Sequence, residues 1–248
     1  MSVEEIYNGI YNITIDDRSM LATRNLIPGL SVYGERLITE DDVEYRQWDP
    51  NRSKLGAMAL KNFEIPLAYD STVLYLGAAS GTTVSHVSDI LRDGIVYAVE
   101  FSPRTMRDLI QLCDQRPNIV PILADANKPQ SYAHIVEKVD AIFQDVAQPN
   151  QAEMAAVNSK YFLEEAGQLM LSIKSRSIDT VASPKKIFKE EVRKLESGFD
   201  VEFEVLQRKE LDPFHEDHLG LIAKMFVDDG DEGLSQNSVL MDFVHFLF

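Results

Sequence analysis

Apolar residues follow two regimes along this chain. From Ser71 to Phe226, short continuous apolar runs alternate with stretches in which apolar residues recur every three or four positions. The runs Val73–Leu76, Ile95–Val99, Ile119–Leu123, Ala141–Gln144 and Gly167–Ile173 read as strands buried on both faces. Thr83–Leu91, Pro103–Arg116, Gln130–Val136, Gln151–Leu163 and Lys185–Leu195 read as the helices between and after them. Val201–Leu206 and Leu219–Phe226 follow as strands with no helix between them, which predicts an antiparallel hairpin at one edge of the sheet. The alternation predicts an α/β fold, a Rossmann-like, mostly parallel sheet with helices on both faces. Residues 1–48 differ. Apolar and β-branched residues cluster at Tyr7–Ile15, Asn25–Ile27 and Ser31–Ile38, punctuated by Pro28-Gly29 and Gly34, and predict short strands. A helix is expected from Pro50 to Asn62.

The expected organisation is a small β-rich subdomain over 1–50, an α/β domain over 51–227 and a tail over 228–248. The tail opens with the acidic run Asp228-Asp-Gly-Asp-Glu-Gly233 and ends in the largely apolar Val239–Phe248. No apolar run reaches the roughly 18 residues of a membrane span. Met1–Glu5 has no signal-peptide character. Cys113 is the single cysteine, which leaves no disulfide framework and no cysteine-cluster metal site and fits a reducing cytoplasm. The net charge of −16 argues at first against a nucleic-acid binder. Its distribution changes that picture. Residues 1–50 hold 10 acids against 4 bases and residues 228–248 hold 5 against none, so most of the excess lies outside the central 177 residues.

The candidate chemistry gathers at the carboxyl ends of the predicted strands, where open α/β sheets bind ligands. Val73–Leu76 runs into Gly77-Ala-Ala-Ser-Gly81-Thr-Thr83. A dinucleotide fingerprint would need glycine at Ala79 and Thr82, so a nicotinamide dinucleotide is disfavoured, and the looser spacing of Gly77 and Gly81 fits a nucleoside without a pyrophosphate. Glu100, at the end of the second strand, is placed to accept ribose hydroxyls. Asp125 ends the third strand and is a candidate partner for an adenine amino group, and Asp145 ends the fourth. Three acids at consecutive strand ends also suit a cationic ligand such as a sulfonium. Two lysines are hard to explain by packing: Lys54, at the start of the first helix, and Lys174, which ends the apolar strand Leu169–Lys174. Asp217-His218 lies in the turn before the last strand.

On these segments the chain resembles the fibrillarin family of RNA-guided ribose 2′-O-methyltransferases, in its archaeal form. The resemblance rests on Gly34-Glu-Arg-Leu, Arg52-Ser-Lys-Leu, Leu74–Asp89, Val96-Tyr-Ala-Val-Glu-Phe-Ser-Pro103, Ala124–Pro129, Gln144-Asp-Val-Ala-Gln148, Ser172-Ile-Lys174 and Asp217-His218, and covers about residues 7–226. It implies a seven-stranded methyltransferase fold and S-adenosylmethionine as cofactor. The cofactor site it implies comprises Thr82, Thr83, Glu100, Phe101, Asp125, Ala126, Asp145, Val146, Ala147 and Gln148, to which the turn residues Gly77, Ala79 and Gly81 are added. The implied catalytic tetrad is Lys54, Asp145, Lys174 and His218. His215 falls where the family tolerates other residues.

The tetrad makes chemical sense. A ribose 2′-hydroxyl is a poor nucleophile whose proton must leave as the methyl transfers. Lys174, partly buried beside the like charge of Lys54, is the expected general base, with Asp145 orienting it. Lys54 and His218 are expected to hold the ribose or adjacent phosphate. Arg176, Lys185, Lys186 and Lys189 belong to a basic cluster, continued by Arg193 and Lys194, that is expected to contact RNA, although Glu190, Glu191 and Glu196 counter it. No base-reading motif is visible, which fits a target chosen by a guide. The resemblance further implies box C/D guide RNA and substrate RNA, a Nop-domain scaffold protein and a kink-turn-binding ribosomal-type protein as partners. A non-catalytic, cofactor-binding assembly subunit is the alternative, disfavoured by the complete tetrad. A small-molecule methyltransferase is disfavoured by the two lysines.

Overall fold

The computed structural model describes residues 1–226; the tail read at 228–248 lies outside the described residues. The N-terminal strands β1 (Ser2–Tyr7), β2 (Ile10–Ile15), β3 (Arg18–Arg24), β4 (Leu37–Glu40) and β5 (Val43–Gln47) form an antiparallel sheet in the order β1-β2-β3-β5-β4. This corrects the sequence reading. Strands β3 and β5, and all of β1 before Tyr7, fall where none was expected, and Asn25–Ile27 and most of Ser31–Ile38 are loop. The turns that set the true register are Asp16-Asp17 and Asp41-Asp42, each a two-residue connection with both φ values between +48° and +62°. The Pro28 and Gly34 region is instead a loop pinned by carboxylates: Glu44 accepts from Asn25 Nδ2 and Gly29 N, and Glu35 accepts from Val32 N and Tyr33 N.

The second sheet holds β6 (Thr72–Leu76), β7 (Ile95–Glu100), β8 (Ile119–Leu123), β9 (Val139–Gln144), β10 (Leu163–Lys174), β11 (Glu202–Glu210) and β12 (His218–Phe226), ordered β11-β12-β10-β9-β6-β7-β8. The five strands β6 to β10 run parallel, and β12 is antiparallel to both β10 and β11. This is the expected doubly wound sheet with a terminal antiparallel hairpin. Pro121 is tolerated because β8 is an edge strand. Both faces of the central strands are buried: Val73 and Tyr75 point into one apolar layer, Leu74 and Leu76 into the other.

Helices α1 (Lys54–Leu60), α2 (Thr82–Ile90) and α3 (Pro103–Cys113) cover the first face; α4 (Gln151–Phe162) and α6 (Pro184–Ser197) cover the second, with α5 (Ser175–Ile178) a single turn after β10. Helix α1 is shorter than the expected Pro50–Asn62. Ser53 caps it through Gly56 N, and Asn62 turns left-handed at φ +57°. The helix expected at Gln130–Val136 is only a 3₁₀ turn over Pro129–Ser131. Tertiary contacts override its helical spacing, since Tyr132 is buried against Phe162 and hydrogen-bonds Asn158.

The two sheets are joined by a buried polar network. Asp89 of α2 accepts from Arg46 of β5 at 2.8 Å and from Arg116 at 2.6 Å, while Arg46 also pairs with Glu35 at 2.6 Å, all four side chains being almost wholly removed from solvent. Thr23 donates to Asp89, so its oxygen accepts from His86 Nδ1 at 2.7 Å. That leaves His86 Nε2 to accept from the Tyr33 hydroxyl at 2.7 Å, with the imidazole stacked on Trp48 at 4.9 Å.

Candidate active site

Gly77 and Gly81 shape the turn after β6. Both are left-handed, at φ +88° and +93°, and a Cβ on Gly77 would lie 2.3 Å from the Asp145 carbonyl. The missing side chain lets the ends of β6 and β9 meet. On Gly81 a Cβ would strike Leu112 at 2.4 Å, so this glycine seats the turn against α3.

Beside this turn a cleft of about 510 Å³ opens at the carboxyl edge of the sheet. That size lies within the range of small-molecule sites. Ten of the expected cofactor residues line it: Gly77, Ala79, Glu100, Phe101, Asp125, Ala126, Asp145, Val146, Ala147 and Gln148. Gly81, Thr82 and Thr83 do not. Val99, Ala124, Asn127 and Met154 line the cleft without having been read from the sequence. Val99, Ala124 and Asn127 lie inside segments already recognised, whereas Met154, within α4, carries no local signal.

The cleft suits a cationic nucleoside. Glu100 is buried; its Oε2 accepts from Ala79 N at 2.9 Å and its Oε1 from Ser102 N at 2.8 Å. This fixes the carboxylate and leaves one lone pair on each oxygen for a pair of ribose hydroxyls. Asn127 donates to Asp125 from its backbone and amide nitrogens, which holds that carboxyl below its usual range. Phe101 lies largely exposed at the rim, while Val99, Ala124, Ala126 and Met154 supply apolar wall for a base.

Asp145 joins this cleft to the lysines. Its Oδ2 lies 3.0 Å from Lys54 Nζ, each side chain about one quarter exposed. Asp145 is therefore the partner of Lys54; the expected orientation of Lys174 by Asp145 is not among the ion pairs of the described residues. Lys174 is placed through its backbone. Its N–H donates to Gln151 Oε1 at 2.8 Å, and Gln151 Nε2 donates to the Lys174 carbonyl at 3.1 Å and to the Gln148 carbonyl at 2.8 Å. Gln151, wholly buried at the start of α4, thus fastens the end of β10 to the loop bearing Gln148. On the other side Lys174 is directly opposite His218 in the β10–β12 ladder, so both side chains project to one face.

His218 is buried, and its Nδ1 hydrogen-bonds the Glu216 carbonyl at 2.7 Å. Burial depresses its pKa, although that hydrogen bond opposes the shift, so it is neutral at pH 7 with Nε2 as an acceptor. His215 packs edge-on to His218, with ring centres 5.7 Å apart, and its Nε2 donates to the Pro50 carbonyl at 2.8 Å. It ties the His218 loop to the segment leading to Lys54; burial and then the Lys54 charge depress its pKa.

The basic cluster divides. Arg176 is held by Asp217 at 3.0 Å and by the Thr180 carbonyl, supporting the turn before His218. Lys186 faces Glu190 at 3.9 Å. Glu191 is buried, pairs with Lys194 and accepts from Ala152 N at the start of α4. Lys185, Lys189 and Arg193 remain, and these three line a groove of about 600 Å³ with Arg208, Lys209, Leu219 and the acids Glu196 and Glu210. Lys209 is occupied by the Lys61 and Asn62 carbonyls. The groove begins at Leu219, next to His218.

The fibrillarin family model matches residues 1–227. The fibrillarin-like rRNA/tRNA 2′-O-methyltransferase of Methanosarcina barkeri is 65% identical over 223 residues, 90% of this chain and 98% of that protein. Aeropyrum pernix fibrillarin, solved with natively bound S-adenosyl-L-methionine, superposes with a TM-score of 0.82 at 43% identity, covering 90% of this chain and 98% of that one. A fibrillarin solved in complex with Nop5p superposes with a TM-score of 0.81 at 43% identity, covering 90% and 100%. With the family model spanning nearly the whole described fold and relatives this similar across it, the chain belongs to the fibrillarin family.

Proposed function

We propose that this chain is the catalytic subunit of a box C/D ribonucleoprotein that methylates ribose 2′-hydroxyls of rRNA or tRNA chosen by a guide RNA. One observation carries the reading: Asp145 lines the nucleoside-sized cleft and at the same time pairs with Lys54, and His218, the ladder partner of Lys174, lies within reach of both charges. Cofactor cleft and proton-handling groups therefore meet at one carboxylate. S-adenosylmethionine bound in the cleft supplies an electrophilic methyl group. Glu100 and Asp125 hold the nucleoside, and the acidic rim favours its positive charge. Lys174 takes the proton of the 2′-hydroxyl. Lys54 holds the developing oxyanion charge, and His218, through its acceptor Nε2, takes a hydrogen bond from the ribose. Most of the acceleration comes from alignment.

The groove lined by Lys185, Lys189, Arg193 and Arg208 carries the phosphate backbone beside the target nucleotide, while Arg176 supports the turn before His218 and Lys186 stands outside the groove beside Glu190. With an N-terminal subdomain (residues 1–50) of net charge −6, the isolated chain holds bare RNA weakly, and assembly supplies the affinity. The Nop5p complex of a relative supports a Nop-domain scaffold as one partner; a kink-turn-binding protein completes the particle. The test is transfer of labelled methyl from the cofactor into guided RNA, with and without these two proteins. Incorporation at the guided ribose in the full assembly is expected, and its absence there overturns the reading.

A further inference from the structure

Thr83 was expected to touch the cofactor, yet it is not among the residues that line the cleft. Its hydroxyl donates to Ser53 Oγ at 3.0 Å, and Ser53 Oγ also accepts from Gly56 N at 3.1 Å. Both side chains are buried. Ser53 is the N-cap of α1, whose first residue is Lys54, and Thr83 is the second residue of α2, which springs directly from the glycine turn. The pair therefore clamps the start of the lysine-bearing helix onto the start of the helix behind the cofactor cleft. Further contacts hold α1 in place. Gly56 lies so close to Trp48 that a Cβ there would sit 3.1 Å from the indole nitrogen, His215 holds the Pro50 carbonyl, and Lys61 Nζ holds the Asp212 carbonyl. Buried hydroxyls are unfavourable unless paired, and a methyl at either position would pack without giving the contact a direction. A directed bond is what a two-lysine site needs if one ammonium must stay at 3.0 Å from a carboxylate that also borders the cleft.

We propose that Thr83 and Ser53 are positioning residues whose hydroxyl pair sets the Lys54 ammonium against Asp145, coupling its placement to the turn that borders the cofactor cleft. This rests on the methyltransferase reading above. The test compares wild type, Thr83→Val, Thr83→Ser, Ser53→Gly and the Thr83→Val/Ser53→Gly double variant in the assembled particle. Single-turnover methyl transfer is measured at saturating cofactor and RNA, and cofactor affinity by calorimetry. Thr83→Val is expected to slow transfer about 10-fold, part of the ~10²-fold that a 1 Å misplacement can produce, with cofactor Kd within about twofold of wild type. Thr83→Ser restores the rate. Ser53→Gly retains most of the capping preference while losing the hydroxyl, so it reads the same effect if Thr83→Val proves unstable. The double variant is no slower than the slower single. A Thr83→Val protein whose cofactor affinity falls in step with its rate would make Thr83 a cofactor ligand and overturn the proposal, as would wild-type rates in both Thr83→Val and Ser53→Gly. Failure of the wild type to transfer methyl would instead overturn the methyltransferase reading.

Discussion

Lys174 is held at both ends of its peptide unit by one buried glutamine and flanked by His218, which leaves the amine as its freest part. Replacing it with alanine keeps the Gln151 bonds, because these use only backbone atoms. Lys174→Ala should therefore bind S-adenosylmethionine as tightly as wild type while methyl transfer falls roughly 10²-fold or more, the scale of a lost general base; single-turnover rates within threefold of wild type would remove Lys174 from that role. Glu100, Asp125, Asp145 and Lys174 were legible in the sequence because each charged residue ends an apolar run, and the carboxyl edge of a parallel sheet is where a run must end. The hydrogen bonds that set their geometry were not: Ser53 and Gln151 were passed over, and Thr83 was read only as a cofactor residue. Ser53, Thr83 and Gln151 act through hydrogen bonds to partners 3 to 30 positions away, and their types are ordinary for helix starts. Asp145 was legible, but its ion pair with Lys54 was not, since order along the chain does not say which of two lysines a carboxylate reaches.

The elements repeat this contrast. Strands β6 to β10 were readable because burial on both faces makes them continuously apolar. The N-terminal strands are short and half exposed, and their register is set by Asp-Asp turns rather than by the glycines and proline that look like punctuation. Helix α6 was located by periodicity, but only the packed structure separates its charges. Glu191 goes inward and removes Lys194 from the basic face, whereas Lys185, Lys189 and Arg193 follow an i, i+4 stripe into the groove opposite Arg208. A Lys189→Glu/Arg208→Glu variant should raise the RNA concentration for half-maximal methylation about 10-fold or more at low salt, with a flatter salt dependence and unchanged cofactor affinity. Lys186→Glu should change little. Equal losses from the two variants would place the RNA elsewhere.

At the scale of the whole molecule, the N-terminal sheet and the methyltransferase sheet share one apolar layer and one buried polar network. Ile10 and Leu21 of the first sheet join the same layer as α1 and α2, so the sheet bearing the excess acid is also a structural support of the helix that carries Lys54. His86 sits inside this junction, fully buried, and burial together with Arg46 and Arg116 pushes its pKa well below the ordinary 6.5. In the unfolded chain the same imidazole titrates normally. The unfolded state therefore binds more protons below pH ~6.5, and the stability present above that pH is lost as pH falls toward the folded value, by up to about 1.4 kcal/mol per pH unit for one group. His215 and His218, depressed in the same direction, add to the loss. Urea unfolding at pH 7.5, 6.5 and 5.5 should show a falling midpoint in the wild type. In His86→Gln, which cannot take up the proton, the midpoint should start lower at pH 7.5 and fall less across the same range. Parallel lines for the two proteins would show that the imidazole in the junction does not govern the acid sensitivity, and would shift the cause to the loop carrying His215 and His218.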